Sequence, residues 1–264
     1  MEEGKKQHHF VLIHGACHGA WCWYKVATRL RLEGHRVTAL DMAAAGANLK
    51  RVDELSSIYD YCQPLMEFMA GLPLDEKVVL VGHSMGGICV SIAMEKWSEK
   101  IAFAVFVAAF TPGPNLTVSA AYTQYKRQMG SSYMDCQYSF SKGQDKPPTA
   151  FLFGPKFMAS HLYQLSPPED LTLATLLARP VRMFDELGFF EEIELTKDKY
   201  GSVRRGYVIC DEDNVLKRGF QEWMIENNPT DEVKIINGAD HMVMFSKSQE
   251  LCVCLQHLAD AYRL

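Results

Sequence analysis

Lys77-Val-Val-Leu-Val-Gly-His-Ser-Met-Gly-Gly87 is the segment from which the rest of the chain can be placed. Val78 to Val81 are four consecutive β-formers. That is the pattern of a parallel strand covered on both faces, which need not alternate. Gly82, Ser84 and Gly86 then form G-x-S-x-G, and Ile88, Val90, Ile92, Ala93 and Met94 continue at once with helical spacing. Strand, tight turn and helix in this order are the context that makes the motif a nucleophile elbow. Such a turn holds its serine in a strained backbone conformation with the hydroxyl proud of the sheet. The glycines two before and two after are needed because a Cβ there would meet the neighbouring strand and helix. Ser84 is the expected nucleophile.

On the N-terminal side, His9 to Ile13 reads as a strand ending in His14-Gly15-Ala16-Cys17-His18-Gly19. A helix is expected from Trp21 to Leu32, stopped by Gly34, then a strand from Arg36 to Leu40. An Ala-rich loop from Met42 to Asn48 leads to a helix over about Tyr59 to Ala70. Beyond the elbow, Ala102 to Ala109 is a strongly apolar strand. Strands alternating with helices are the signature of an α/β fold, a parallel sheet wound by right-handed crossovers. From Thr111 to about Tyr200 the rhythm breaks, in a segment rich in Met, Tyr and Phe with Pro147-Pro148, Pro167-Pro168 and a short helical piece at Leu171 to Leu177. A structureless loop this long is improbable in a compact domain. Residues 111–200 are therefore expected to form a cap over the sheet's C-terminal edge, inserted in a core of residues 1–110 and 201–264. Strand and helix order resumes at Gly206 to Cys210, Phe220 to Ile225, Val233 to Ile236 and Ser248 to Tyr262.

The 264 residues suffice for one large α/β domain with an insertion. A net charge of −5 and a pI near 6.0 argue against nucleic acid or an anionic membrane as partner. The polar start Met1 to His9 has no apolar signal segment, and no later run reads as a membrane span, so a cytoplasmic location is expected. Cys17, Cys22, Cys62, Cys89, Cys136, Cys210, Cys252 and Cys254 lack paired C-x-x-C spacing and read as reduced thiols. No metal and no cofactor is expected. Asn115-Leu-Thr117 fits a glycosylation sequon that would stay unmodified without secretion.

A serine hydroxyl needs a base, an orienting acid and an oxyanion hole. On a sheet of this kind the chain order is Ser, then Asp or Glu, then His. Downstream of Ser84 stand His161 in the cap, His257 in the closing helix, and His241 in the loop Gly238-Ala-Asp-His-Met242 after the last strand. His241 is the natural base. The acid should follow the preceding strand, in Asp211-Glu212-Asp213. Asp213 is preferred because it must project past the strand end, with Asp211 as the alternative. Asp240 adjoins His241 but would point away from its ring, and reads as a loop or capping carboxylate. The backbone N–H groups of Ala16 and Met85 are the expected oxyanion donors. His14 and His18 read as hydrogen-bonding supports, and His83 as either facing the pocket or packing beside it.

With these residues placed, the chain resembles the plant methylesterase and hydroxynitrile lyase family of α/β-hydrolases, which includes methyl salicylate esterase, polyneuridine aldehyde esterase and methylketone synthase. The likeness spans nearly the whole sequence. It is carried by Trp23-Tyr24-Lys25, Gly34-His35-x-Val37-Thr38-Ala39-Leu40-Asp41, Gly82 to Gly87, Phe153-Gly154-Pro155-Lys156-Phe157, Tyr200-Gly-Ser-Val-Arg-Arg205 and Ala239-Asp240-His241-Met242. The resemblance implies an α/β-hydrolase fold with an inserted cap, a small-molecule ester as substrate, and a homodimer as one assembly. Lyase members carry threonine or asparagine at the place of Gly15, and one branch has glutamate and lysine at the places of His83 and Met242. Gly15, His83 and Met242 are the esterase choices. Methylketone synthases are similar at Pro112-Gly113-Pro114-Asn115 and Asn228-Pro229, but their elbow serine is replaced. The resemblance also places Phe110, Tyr125, Tyr133, Tyr138, Phe151, Phe153 and Met183 around the acyl group, an aromatic and Met-rich lining suited to an apolar acid. About half of these are expected to touch ligand, the rest being cap core. Asp211 to Leu216 lacks the lysine and proline usual in the esterase loop, a departure that bears on substrate preference. The implied activity is hydrolysis of methyl esters through an acyl-enzyme. A lyase or decarboxylase using the same triad, and a non-catalytic hormone-binding protein, are the alternatives.

Overall fold

A computed structural model describes residues 7–129, 133–184, 190 and 192–262 of the chain. Residues 1–6 of the polar start, and 130–132, 185–189 and 191 of the expected cap, lie outside the described residues. β1 (His9–Ile13) is buried along its whole length. A 3-10 turn (Ala20–Trp23) leads into α1 (Tyr24–Leu32), which packs Val26, Ala27 and Leu30 inward. Gly34 follows at φ 91, a left-handed conformation that suits glycine and ends the helix.

β2 (Arg36–Leu40) precedes α2 (Ile58–Gly71). α2 starts where Ser57 accepts the Asp60 N–H at 3.0 Å while the Asp60 carboxylate accepts the Ser57 N–H at 3.1 Å, a reciprocal cap. Its other end is held by buried Lys100, whose ammonium donates to the carbonyls of Met69 and Leu72, each at 2.9 Å. β3 (Val78–Ser84), α3 (Gly86–Lys96) and β4 (Ile101–Ala109) complete the first half of the core.

Between β4 and the next strand of the main sheet lie α4 (Val118–Met129), β5 (Gln137–Ser139), β6 (Ala150–Leu152), α5 (Pro155–Phe157), α6 (Pro168–Leu177) and β7 (Val181–Arg182). β5, β6 and β7 pair antiparallel in a small sheet of their own. None of these strands is visible in the sequence, because pieces of two or three residues are too short to display alternation. The core resumes with β8 (Arg205–Cys210), α7 (Arg218–Asn227), β9 (Glu232–Ile236), α8 (Val243–Ser246) and α9 (Ser248–Ala261).

Among the described residues the main sheet runs β2-β1-β3-β4-β8-β9, with every neighbouring pair parallel. β3 and β4 are central and buried nearly throughout, which is why neither sequence alternates. Because all strands point the same way, the loops after β1, β3, β8 and β9 emerge on one edge. No helix of the described residues is long and apolar enough to cross a membrane.

The elbow depends on close approach at two glycines. A Cβ on Gly82 would stand 2.8 Å from Val90 Cγ2, and one on Gly86 would stand 2.7 Å from the carbonyl oxygens of both Ile13 and His14. Gly86→Ala is expected to lower stability by roughly 1–3 kcal/mol, as overpacking does. Thermal denaturation checks it, since the neighbours of Gly86 are backbone atoms of β1 that cannot rotate aside.

Candidate active site

Ser84 closes β3 at φ 53, a left-handed backbone angle uncommon outside glycine and found where a site stores strain. The loop after β1 runs directly against it. A Cβ on Gly15 would lie 2.8 Å from Ser84 Cβ and 3.3 Å from its hydroxyl oxygen. Ala16, Ser84 and Met85 contribute to the wall of one cavity, together with aromatic rings from the stretch between β4 and β8.

His241 lies in the loop after β9, with its ring buried. Its Nδ1–H donates to Asp213 Oδ2 at 2.7 Å. The other oxygen, Oδ1, accepts the backbone N–H groups of Val215 and Leu216 at 2.7 and 2.8 Å. The whole carboxylate is thereby oriented. Buried Gln221 of α7 fixes the same loop, accepting the Cys210 N–H and donating to the carbonyls of Cys210 and Leu216. Asp211 faces elsewhere, accepting the Gly238 N–H at 2.7 Å. Asp213 is the carboxylate that meets the imidazole.

His83 connects the two strand ends. Its Nε2–H donates to the His241 carbonyl at 2.8 Å, and the two rings are 4.6 Å apart. Positions 84 and 241 are thus on the same edge of the sheet. With Nδ1 committed to Asp213, the His241 nitrogen left to take a proton is Nε2. Among the described residues no hydrogen bond joins the Ser84 hydroxyl to this ring, and such bonds commonly tighten only once substrate is in place.

Two histidines aim the loop after β1. His14 Nε2 accepts the Met42 N–H at 3.1 Å, so its Nδ1 carries the proton and donates to the Gly15 carbonyl at 2.8 Å. His18 donates from Nδ1 to the Ala16 carbonyl at 2.8 Å and accepts the Tyr163 hydroxyl at Nε2, 2.7 Å away. In a trans peptide the N–H points opposite to the preceding C=O. Tying back the Gly15 carbonyl therefore turns the Ala16 N–H the other way, where it can act as an oxyanion donor. Both histidines are held neutral by burial, which lowers His14 and takes His18 down to about 4.

A sequence model described as the alpha/beta hydrolase family matches residues 10–252. The chain belongs to the alpha/beta hydrolase family. It is 57% identical to methyl jasmonate esterase 1 of Vitis vinifera over 98% of this chain and 99% of that one. It is 46% identical to salicylic acid-binding protein 2 of Nicotiana tabacum, over 99% of this chain and 100% of the other. A crystal structure of tomato methylketone synthase I, in a singly substituted form, superposes with a TM-score of 0.93 at 44% identity, over 98% of this chain and 100% of that one.

In this α/β-hydrolase, four of the rings expected around the acyl group, Phe110, Tyr125, Phe151 and Phe153, line the Ser84 cavity. The others expected near substrate stand elsewhere. Tyr133 packs against Phe157 and edge-on to Tyr138, which is 38% exposed on β5. Met183 is half-buried and off the cavity wall, while its neighbours Arg182 and Phe184 are on it, as the two-residue period of an extended segment requires. Gly15 packs against Ser84 and His83, and neither Gly15 nor His83 lines the cavity. Met242 is fully buried and spends its N–H on Asp240 and the Leu162 carbonyl. Tyr122, Arg182, Phe184, Phe190, Val215 and Leu216 complete the lining and were not expected. Val215 and Leu216 follow Asp213 so closely that its loop was the one signal available for them.

Asp240 does have the structural task its position suggested. Its four hydrogen bonds, to the N–H groups of Leu165 and Met242 and the hydroxyls of Ser166 and Ser246, tie the segment at Leu165 and Ser166 to the loop that carries His241. Burial raises its carboxyl above the usual range despite these partners. Among the described residues no three of His, Cys, Asp and Glu converge as a metal site. A second cleft, bounded by Tyr59, Gln63, Glu95 and Glu194, has no serine, cysteine or histidine among its described lining residues.

The buried histidines predict a pH dependence of stability. Burial also drives His83 well below its ordinary value. An unfolded histidine titrates near 6.5, whereas folded His18 does so only at about 4. Between those values the unfolded chain binds more protons, so stability falls as pH drops from 6.5 toward 4. His14 and His83 act in the same direction. Melting followed by circular dichroism is expected to give a midpoint several degrees lower at about pH 5 than at about pH 7.5, and His18→Gln is expected to reduce that difference.

Proposed function

We propose that this protein is a serine carboxylesterase that hydrolyses methyl esters of small plant metabolites or hormones through an acyl-enzyme. The observation that carries the reading is the buried Asp213–His241 pair on the same sheet edge as a serine held at φ 53. The name of methyl jasmonate esterase 1, 57% identical, supports it. Ser84 Oγ attacks the ester carbonyl while His241 Nε2 takes its proton, and Asp213 stabilises the imidazolium so formed. The Ala16 and Met85 N–H groups receive the oxyanion. His241 returns the proton to the leaving methoxide, methanol departs, and water repeats the sequence on the acyl-enzyme. The oxyanion donors, like the cap role of residues 111–200, are part of the proposal. So are a cytoplasmic site of action and a homodimer.

The test is a panel of methyl salicylate, methyl jasmonate, methyl indole-acetate and an alkaloid methyl ester, assayed for methanol. Release from at least one supports the reading. Cyanide from a cyanohydrin without methanol from any ester would replace it with a lyase, and Gly15, which has no side-chain hydroxyl to hold such a substrate, argues against that outcome. Tight binding of a free acid with no turnover of any ester would leave a binding protein. If the released acid carries a β-carbonyl, loss of its carboxyl group could follow without further help.

A further inference from the structure

Arg182 is the one charged side chain among the described residues lining the Ser84 cavity. It sits on β7 in antiparallel register with Ala150, beside Phe151, and is only 7% exposed. Its Nε and Nη1 have no hydrogen-bond partner among the described residues. The neighbouring anion is Asp53, whose oxygen is 3.8 Å from Nη1, beyond hydrogen-bond reach. Arg179, three residues earlier, provides the contrast. Its guanidinium donates to the carbonyls of Gly46, Asn48 and Lys50 at 2.9, 2.6 and 3.1 Å.

A guanidinium cannot shed its charge to escape burial, and idle donors in a buried position are costly. Natural structures keep such a group where something else completes its hydrogen bonds. The small cavity behind Arg182, lined by Ala43, Val52 and Leu55 among others, has Tyr61 as its only oxygen-bearing side chain among the described residues, and no hydrogen bond joins that hydroxyl to Arg182. The Ser84 cavity is the place where a ligand oxygen could arrive.

We propose that Arg182 selects the substrate by donating hydrogen bonds to a neutral carbonyl oxygen on the acyl group, away from the scissile ester. The proposal rests on the ester hydrolase reading above. A neutral acceptor is favoured over a second carboxylate because Asp53 already balances the guanidinium charge. An added anion would also stand in the same cavity as the oxyanion that forms beside Ala16 and Met85. The remaining wall is mostly rings and aliphatic side chains, which suits an otherwise apolar acyl chain.

The test compares kcat/KM for methanol release from methyl octanoate, from methyl oxo-octanoates with the ketone placed in turn at carbons 4 to 7, and from monomethyl suberate. One oxo regioisomer is expected to exceed methyl octanoate by about ten- to a hundredfold, the range of a hydrogen bond to a charged group. Arg182→Met is expected to bring that ratio close to one, and Arg182→Lys to restore part of it. Equal rates across the wild-type series overturn the proposal even if neither variant folds. A ratio that survives in Arg182→Met overturns it as well, and an Arg182-dependent preference for monomethyl suberate overturns the choice of a neutral acceptor. If no ester is hydrolysed, the esterase reading fails separately. Calorimetry of the free oxo acids then decides: binding at least tenfold weaker in Arg182→Met than in the wild type upholds the role of Arg182, and unchanged binding removes it.

Discussion

Ser84→Ala is expected to lower kcat for methyl-ester hydrolysis on the order of 10⁴- to 10⁶-fold, because every later step passes through the acyl-enzyme that only this hydroxyl can form. Alanine is the right replacement. It keeps a Cβ at φ 53, so the elbow and the close packing of Gly15 against it are disturbed as little as any substitution allows. The thermal midpoint should therefore stay near that of the wild type, and affinity for the product acid should persist in calorimetry. Methanol release that continues at more than about a tenth of the wild-type rate would remove Ser84 from the chemistry, since no triad nucleophile is dispensable to that degree.

Asp213→Asn is expected to cost about 10⁴-fold in kcat with little change in the affinity for ester. The geometry explains why the effect would be chemical. An asparagine can place its carbonyl where Asp213 Oδ1 now accepts the Val215 and Leu216 N–H groups, so the loop keeps both hydrogen bonds. The amide nitrogen then occupies the place of Oδ2, the atom that accepts from His241 Nδ1. Two donors cannot face each other, so the imidazole moves its proton to Nε2 and can no longer accept one from Ser84. Asp211→Asn is the matched control and is expected to change kcat less than tenfold, because that carboxylate serves the Gly238 N–H instead. Steady-state kinetics on the two variants, with melting curves for both, checks the pair. Equal losses would place the acid elsewhere.

How far the residues alone could lead differs from one part of the molecule to another. The elbow is readable because its parts are adjacent: four β-formers, glycines at fixed offsets and an apolar helix follow one another within a few residues. The core strands are readable for the same reason, and each expected one starts within a residue of its observed bound and ends on it, apart from β3, which runs on past Val81 to Ser84 itself. Chain order narrows the acid to Asp211 or Asp213, and the need to project past the strand end favours Asp213. Choosing between them depends on how the loop after β8 turns, and that turn is held by Gln221, eleven residues past Cys210. The insertion is least legible. Its strands are too short to alternate visibly, so the resemblance selected Met183 where the register brings Arg182 and Phe184 to the cavity.

The parallel core and the bend that carries Ser84 are written in neighbouring residues, since strand and helix periods and glycine spacing are local properties of a chain. The carboxylate that faces His241, the histidines that turn the Ala16 peptide and the burial of Arg182 in the cavity wall are of another kind. Each depends on loops from distant strands meeting at one edge, and on packing that leaves certain donors filled and others idle. Long-range contacts of this sort impose no period on the residues that make them.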